Sequence, residues 1–226
     1  MSERVAWMSL AASTVVMACY EGRLRWVARK HPELTARTAH ARVRALWVAA
    51  LSAQPGFEIV AVQALRNSLM SATIAASTAA IALMGTVSLA GGTVASSMGS
   101  IRDLESASLP VRHALEILLM LLLFASYVCS AMAMRYFSHA GFVMSMPVSA
   151  PERKPLLPMA VEYVERAGLL YSWGLRCFLM VAPLVAGILN PVMLLPVTLA
   201  LVVVLWFFDR PAKILQDGAG IAPTHP

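Results

Sequence analysis

The sequence predicts an all-α integral membrane protein, a bundle of four to five transmembrane helices with amphipathic helices at the interface. Three observations predict it. Of the 226 residues 59% are hydrophobic and only 13% charged, where a soluble domain carries about a quarter of its residues as charges. Several runs free of Asp, Glu, Lys and Arg are long enough to cross the ~30 Å hydrocarbon core as helices. The basic residues gather in particular loops between those runs, as cytoplasmic segments do. The formal charge of +6 could suit nucleic acid, but the arginines lie beside apolar spans and no nucleic-acid-binding signature accompanies them. Residues 1–216 read as one membrane domain and 217–226, rich in Gly, Ala and Pro, as a flexible tail. Cys19, Cys129 and Cys177 sit in apolar runs as small hydrophobes, and no disulfide framework follows.

The first span is expected over 5–20. Glu3 and Arg4 make a poor leader and no small-residue cleavage site follows, so it reads as retained. Residues 21–58 carry Arg23, Arg25, Arg29, Lys30, Arg37, Arg42 and Arg44 against Glu21, Glu33 and Glu58; this excess places the loop in the cytoplasm and the N-terminus outside. Within it an amphipathic helix is expected over 33–53, opened by Pro32 and Glu33, with Ala36, Ala39, Val43, Leu46, Trp47 and Ala50 as its apolar side. It lies on the inner leaflet or packs under the bundle. Pro55 and Gly56 then break the pattern.

The second span, 68–90, is rich in Ser, Ala and Thr. Ser68, Ala72, Ala76 and Ala80 recur every four residues, a stripe on which a neighbouring helix, from this chain or another copy, can approach closely. Gly91 and Gly92 close it and open an external connection to Pro110. The third span, 114–134, returns the chain to a cytoplasmic segment, 137–172, whose second part forms an interfacial helix over 159–172. From 175 to 208 the chain is apolar apart from Arg176 and Asn190, too long for a single crossing. Asn190-Pro191 is a turn signal, so a hairpin of two short spans, 175–189 and 192–208, is expected, with Arg210 and Lys213 returning to the cytoplasm. The alternative is one long kinked span.

Four stretches, AHARVRALWV (39–48), AVQALRNSLMSAT (61–73), MRYFSHAGF (134–142) and VEYVERAGLLYSWGLRCF (161–178), are followed by a Pro-containing apolar region ending in WFFDR. In this order, over nearly the whole chain, they resemble the integral membrane proteins grouped as domain of unknown function 599. The resemblance implies a multi-span membrane protein and brings no catalytic residue with it.

The candidate site is a convergence of polar groups on the cytoplasmic rim. Gln63, Arg66 and Asn67 share a helix face with Met70, and Glu162, Arg166, Trp173 and Arg176 share another with Leu169. With Arg135, Tyr136 and His139 they would form an electropositive pocket for an anion or a phospholipid head group. The competing reading is that these arginines snorkel and pair with Glu162 and Glu165 to hold helices together. Met132, Met134, Met144 and Met146 around His139 would suit Cu(I), but i and i+2 side chains on a helix do not meet, and they read as packing; no metal or other cofactor is expected. No motif for zinc hydrolysis, phosphate cradling or a nucleophilic serine is present, so an interfacial lipid enzyme is the least favoured function. The expected function is a non-enzymatic inner-membrane protein that binds or passes an anion or phospholipid head group. An accessory subunit of a membrane complex is the alternative.

Overall fold

A computed structural model describes residues 3–30, 36–100 and 110–209, leaving aside the side chains of 36–39 and 90–100. Among these residues there is no strand. The α-helices are α1 (Glu3–Lys30), α2 (Ala36–Ser52), α3 (Glu58–Ser100), α4 (Val111–Met144), α5 (Arg153–Leu179), α6 (Val181–Leu189) and α7 (Leu194–Phe208). Among the described residues four apolar stretches are long enough to cross a membrane: 58–89, 111–144, 153–189 and 191–208. The chain is an all-α membrane protein. α1 is not among the four, because its uncharged run ends at Glu21.

The distribution of side-chain sizes shows what solvent this surface meets. On α3 the buried positions are Ala61, Leu65, Ala72, Ala76 and Ala79, while Ile74, Ile81 and Met84 are exposed. Leu121 and Phe124 on α4 and Val203 and Phe208 on α7 are exposed as well. Water would drive the large groups inward; lipid is as apolar as they are, so helix contact is won by small residues that let backbones approach. Several hydroxyls in the apolar helices bond back one turn, as Thr78 does to the Ile74 carbonyl and Thr198 to that of Leu194, which satisfies those donors within hydrocarbon.

Helix boundaries follow local chemistry. Gly56, at φ +88°, makes the left-handed turn before α3 that a residue with a Cβ resists. α3 then runs through Gly91 and Gly92 to Ser100, past the expected end at 90; glycines weaken a helix less in lipid than in water, because unpaired backbone there has no other partner. The expected interfacial helix and following span form one unbroken helix, α5, up to Leu179, and the break comes at Met180. Pro183 explains it, since its ring clashes with the carbonyl four residues back, that of Leu179. Asn190 is extended, and its side-chain oxygen accepts from the Val192 N–H at 3.1 Å. There the chain reverses and α7 packs back on α6, the hairpin geometry rather than one kinked helix. The start of the expected helix at 33, the connection 101–109 and the tail lie outside the described residues.

Long-range contacts fix the topology. α3 and α4 are antiparallel, with Val148 N–H on Glu58 at one end and Thr73 beside Met134 further along. α4 and α5 are antiparallel too, with Ser126 Oγ on the Gly174 carbonyl at 2.9 Å. α1 runs alongside α7: Ser9 Oγ donates to the Pro191 carbonyl at 3.0 Å, and Tyr20 meets Asp209. The core falls into two parts. One, around Val48, Ala72, Phe137, Ala140 and Val164, joins α2 to α5; the other, around Ala6, Leu115, Leu119, Leu184 and Leu194, joins α1, α4, α6 and α7.

Candidate functional site

Polar groups expected at one pocket occupy separate places. α5 is continuous, so the ten residues from Arg166 to Arg176 set their attachment points about 15 Å apart along the axis. Arg176 is buried and belongs to the junction of α1, α5 and α7, where its Nη1 donates to Glu21 at 2.6 Å and its Nη2 to Asp209. Trp173 carries the Arg25 guanidinium over its ring at 5.5 Å. Arg166 pairs with Glu162 on the exposed surface of α5, an i, i+4 pair of small energetic weight. Tyr136 and His139 each approach Tyr163 at 5.7 Å between ring centroids. Thus Tyr136, His139, Glu162 and Arg166 are neighbours, and Arg176 and Trp173 are not among them.

Gln63, Arg66 and Asn67 do share one helix face, but it is exposed. The face of α3 turned to its neighbours is the small, apolar one, which burial against α4 selects. Arg135 is likewise exposed. Ser68, Ala72, Ala76 and Ala80 flank this packing, and Ala72 and Ala76 are buried within the chain itself. Of the methionines near His139, Met144 is buried against Ser52 and Met134 lies beside Thr73. Among the described residues no group of His, Cys, Asp and Glu has the arrangement of a metal site.

A basic pocket does exist, built on a residue outside the expected set. α2 packs against α5 and α3. Of its expected apolar side Val43, Leu46 and Ala50 are exposed and Trp47 faces inward, and the side turned to the bundle carries Arg44, Trp47, Val48 and Leu51. Arg44 opens into a cavity of about 340 Å³ between α2, α3, α4 and α5. Trp47, Leu65, Phe137 and Val164 form its apolar walls; Ser68, Ser71 and Tyr171 bring hydroxyls to it.

Gly168 makes room for that guanidinium. A Cβ at 168 would lie 2.5 Å from Arg44 Cζ and 2.7 Å from Nε, closer than atoms can stand. Arg44 Nε is buried and has no hydrogen-bond partner, a costly state for a charged donor. Burial pushes the guanidinium below its ordinary pKa, with the Glu165 charge acting the other way. An anion in this cavity would supply the acceptor Nε lacks.

The pocket's level is set by its walls. Ser68 opens the uncharged run of α3 that follows Arg66, and Phe137 lies just past Arg135, which ends the uncharged run of α4. The cavity therefore straddles the boundary between apolar and charged chain, where lipid phosphates reside. Sequence reasoning missed Arg44 because it took the side of α2 bearing Val43 and Leu46 as the contact face, on the inner leaflet or under the bundle, and so left the arginines off that face. The available signal was that Arg44, Val48 and Leu51 form an i, i+4, i+7 set with a small partner on α5.

Two further ionic contacts were not anticipated. Arg153, fully buried, donates to the Met146 carbonyl at 2.5 Å and lies 3.7 Å from Glu58, which ties the start of α5 to the start of α3. Glu21 and Asp209 together hold Arg176. Residues 8–214 match the family described as protein of unknown function, DUF599. No curated protein and no solved structure matches the chain.

Proposed function

The chain belongs to the DUF599 family, and from that premise and the Arg44 cavity we propose a non-enzymatic inner-membrane protein that binds a phosphate-bearing anion, foremost a phospholipid head group. The N-terminus and the 189–194 turn lie outside; 21–58, 137–172 and the C-terminus lie in the cytoplasm, where the basic excess of 21–58 places them. The observation that carries the reading is the unpartnered Arg44 Nε at a cavity of about 340 Å³ on the apolar–charged boundary. A guanidinium with an open N–H is matched by a phosphate oxygen, and the apolar walls suit the glycerol and upper acyl carbons that follow it. Arg66 and Arg135, exposed at the same level, add long-range attraction for anionic lipid. The Glu165 charge acts on Arg44 from a distance and competes with the anion for it.

Native mass spectrometry on purified protein with phosphatidylglycerol, phosphatidylcholine and soluble glycerol phosphate tests this. Retention of phosphatidylglycerol over phosphatidylcholine is expected, and it should weaken at least tenfold in Arg44→Gln and in Gly168→Ala. Binding of glycerol phosphate alone would identify a free anion as the ligand. Gly168→Ala should leave thermal stability unchanged or raise it slightly, since only the tip of a flexible side chain has to move and alanine gains up to about 1 kcal/mol of helix propensity. Equal retention by wild type and both variants would overturn the proposal.

A further inference from the structure

A second cavity, of about 300 Å³, lies between α1, α4, α6 and α7. Leu10, Leu122, Leu184 and Leu194 dominate its walls, with the hydroxyl residues Ser13 and Thr198. Glu21 stands at one end. Thr14 and Ala18, also on its wall, are exposed, so the groove reaches the outer surface of α1, which faces lipid in a bilayer.

Among the described residues Glu21 is short of one positive charge. Its Oε1 accepts from Arg176 at 2.6 Å, and Arg176 also serves Asp209, whose second oxygen accepts from Tyr20 at 2.5 Å. One guanidinium thus faces two carboxylates, a net charge of −1 among the described residues. Glu21 Oε2 is buried with no partner, and so is the Ser13 hydroxyl. An unpaired negative charge kept from water beside hydrocarbon is unfavourable by several kcal/mol. Something positive belongs there.

We propose that this groove binds a lipophilic primary amine, its ammonium on Glu21 and its alkyl chain along α1 toward Leu10. The positive head completes the charge balance of Glu21, Asp209 and Arg176, and its N–H groups supply Oε2 with a donor. From Glu21 back to Leu10 the helix rises about 16 Å, a length for an extended alkyl chain. Binding is non-covalent, and no bond forms or breaks. The groups that face Glu21 and shape this site are Tyr20 on its own helix, Arg176 and Cys177 on α5, and Asp209 after α7; Leu118 and Leu122 of α4 bring no charge.

The test uses the full chain in phosphatidylcholine nanodiscs with three probes of one chain length: decylamine, decanol and decanoate. Expected are saturable binding of decylamine at one per chain and at least tenfold weaker binding of decanol and decanoate. Glu21→Gln should lose the preference for the amine. Leu122→Trp, which fills the groove away from the charges, should lose amine binding with the ion cluster intact, and it decides the matter if the Glu21 variant fails to fold. Equal binding of decanol and decylamine would reduce the site to an apolar groove. A preference for decanoate would reverse the sign of the assigned charge. Either result overturns the proposal, as does amine binding unaltered in both variants.

Discussion

At the scale of single residues, the arginines of this chain divide by what surrounds them. Arg166, more than half exposed beside Glu162, gains little from its partner because water and salt screen the pair. Arg176 is held by Glu21 and Asp209 with side-chain exposures of 7%, 13% and 19%, and removing it would leave two carboxylates facing each other in a poorly solvated place. Arg176→Ala is therefore expected to destabilise the detergent-purified protein by about 3–5 kcal/mol, the usual effect of orphaning a buried charge. Arg166→Ala should cost less than about 1 kcal/mol. Thermal unfolding midpoints check both, and Glu21→Gln with Asp209→Asn should restore part of what Arg176→Ala loses. Arg44 differs from both: its Nε has no acceptor at all, which is why it is assigned to a ligand rather than to the fold.

Among the elements, glycine positions show where backbones meet. A Cβ at Gly174 would lie 2.8 Å from Ser130 Oγ and 3.3 Å from the Ser126 carbonyl oxygen, so alanine there has to push α4 away from α5. A Cβ at Gly85, on the exposed side of α3, would touch nothing within 4 Å. Gly174→Ala is expected to destabilise by about 1–3 kcal/mol, as overpacking does, while Gly85→Ala should be neutral or stabilising by up to about 1 kcal/mol. The pair of substitutions, followed by thermal melts in the same detergent, separates helix contact from helix propensity. α2 illustrates a mixed face: Val43 and Leu46 point outward while Arg44 shares the protein side with Val48 and Leu51, unlike the apolar contact face of an amphipathic helix on a soluble core.

The whole molecule is two half-cores stacked along the bundle, each with its own cavity. The half around Ala6, Leu119 and Leu194 contains the Asn190 turn; the half around Val48, Phe137 and Val164 contains the Arg44 cavity and extends to the Met144–Arg153 connection. The proposed orientation, with the positive loops inside, puts Asn190 outside and Ser149 inside. An impermeant maleimide applied to intact cells should label cysteine introduced at Met193 and spare cysteine introduced at Ser149, with the native Cys19, Cys129 and Cys177 replaced. Labelling of both, or of Ser149 alone, would invert or break the topology.

The sequence by itself determined the solvent and the class: runs without charge, bounded by arginines, can be satisfied only by helices in lipid, and Asn190-Pro191 marked the reversal because its turn chemistry is local. The tertiary structure alone decided which charges meet. Arg66 and Arg176 are alike as letters, yet one is exposed and the other is enclosed by carboxylates 155 and 33 residues away in the chain. In water an apolar stripe identifies the buried face of a helix, and burial then locates the polar groups. In lipid both faces of a helix are apolar, so periodicity no longer says which side packs, and Arg44, Glu21 and Asp209 became visible only once α1, α2 and α7 had docked.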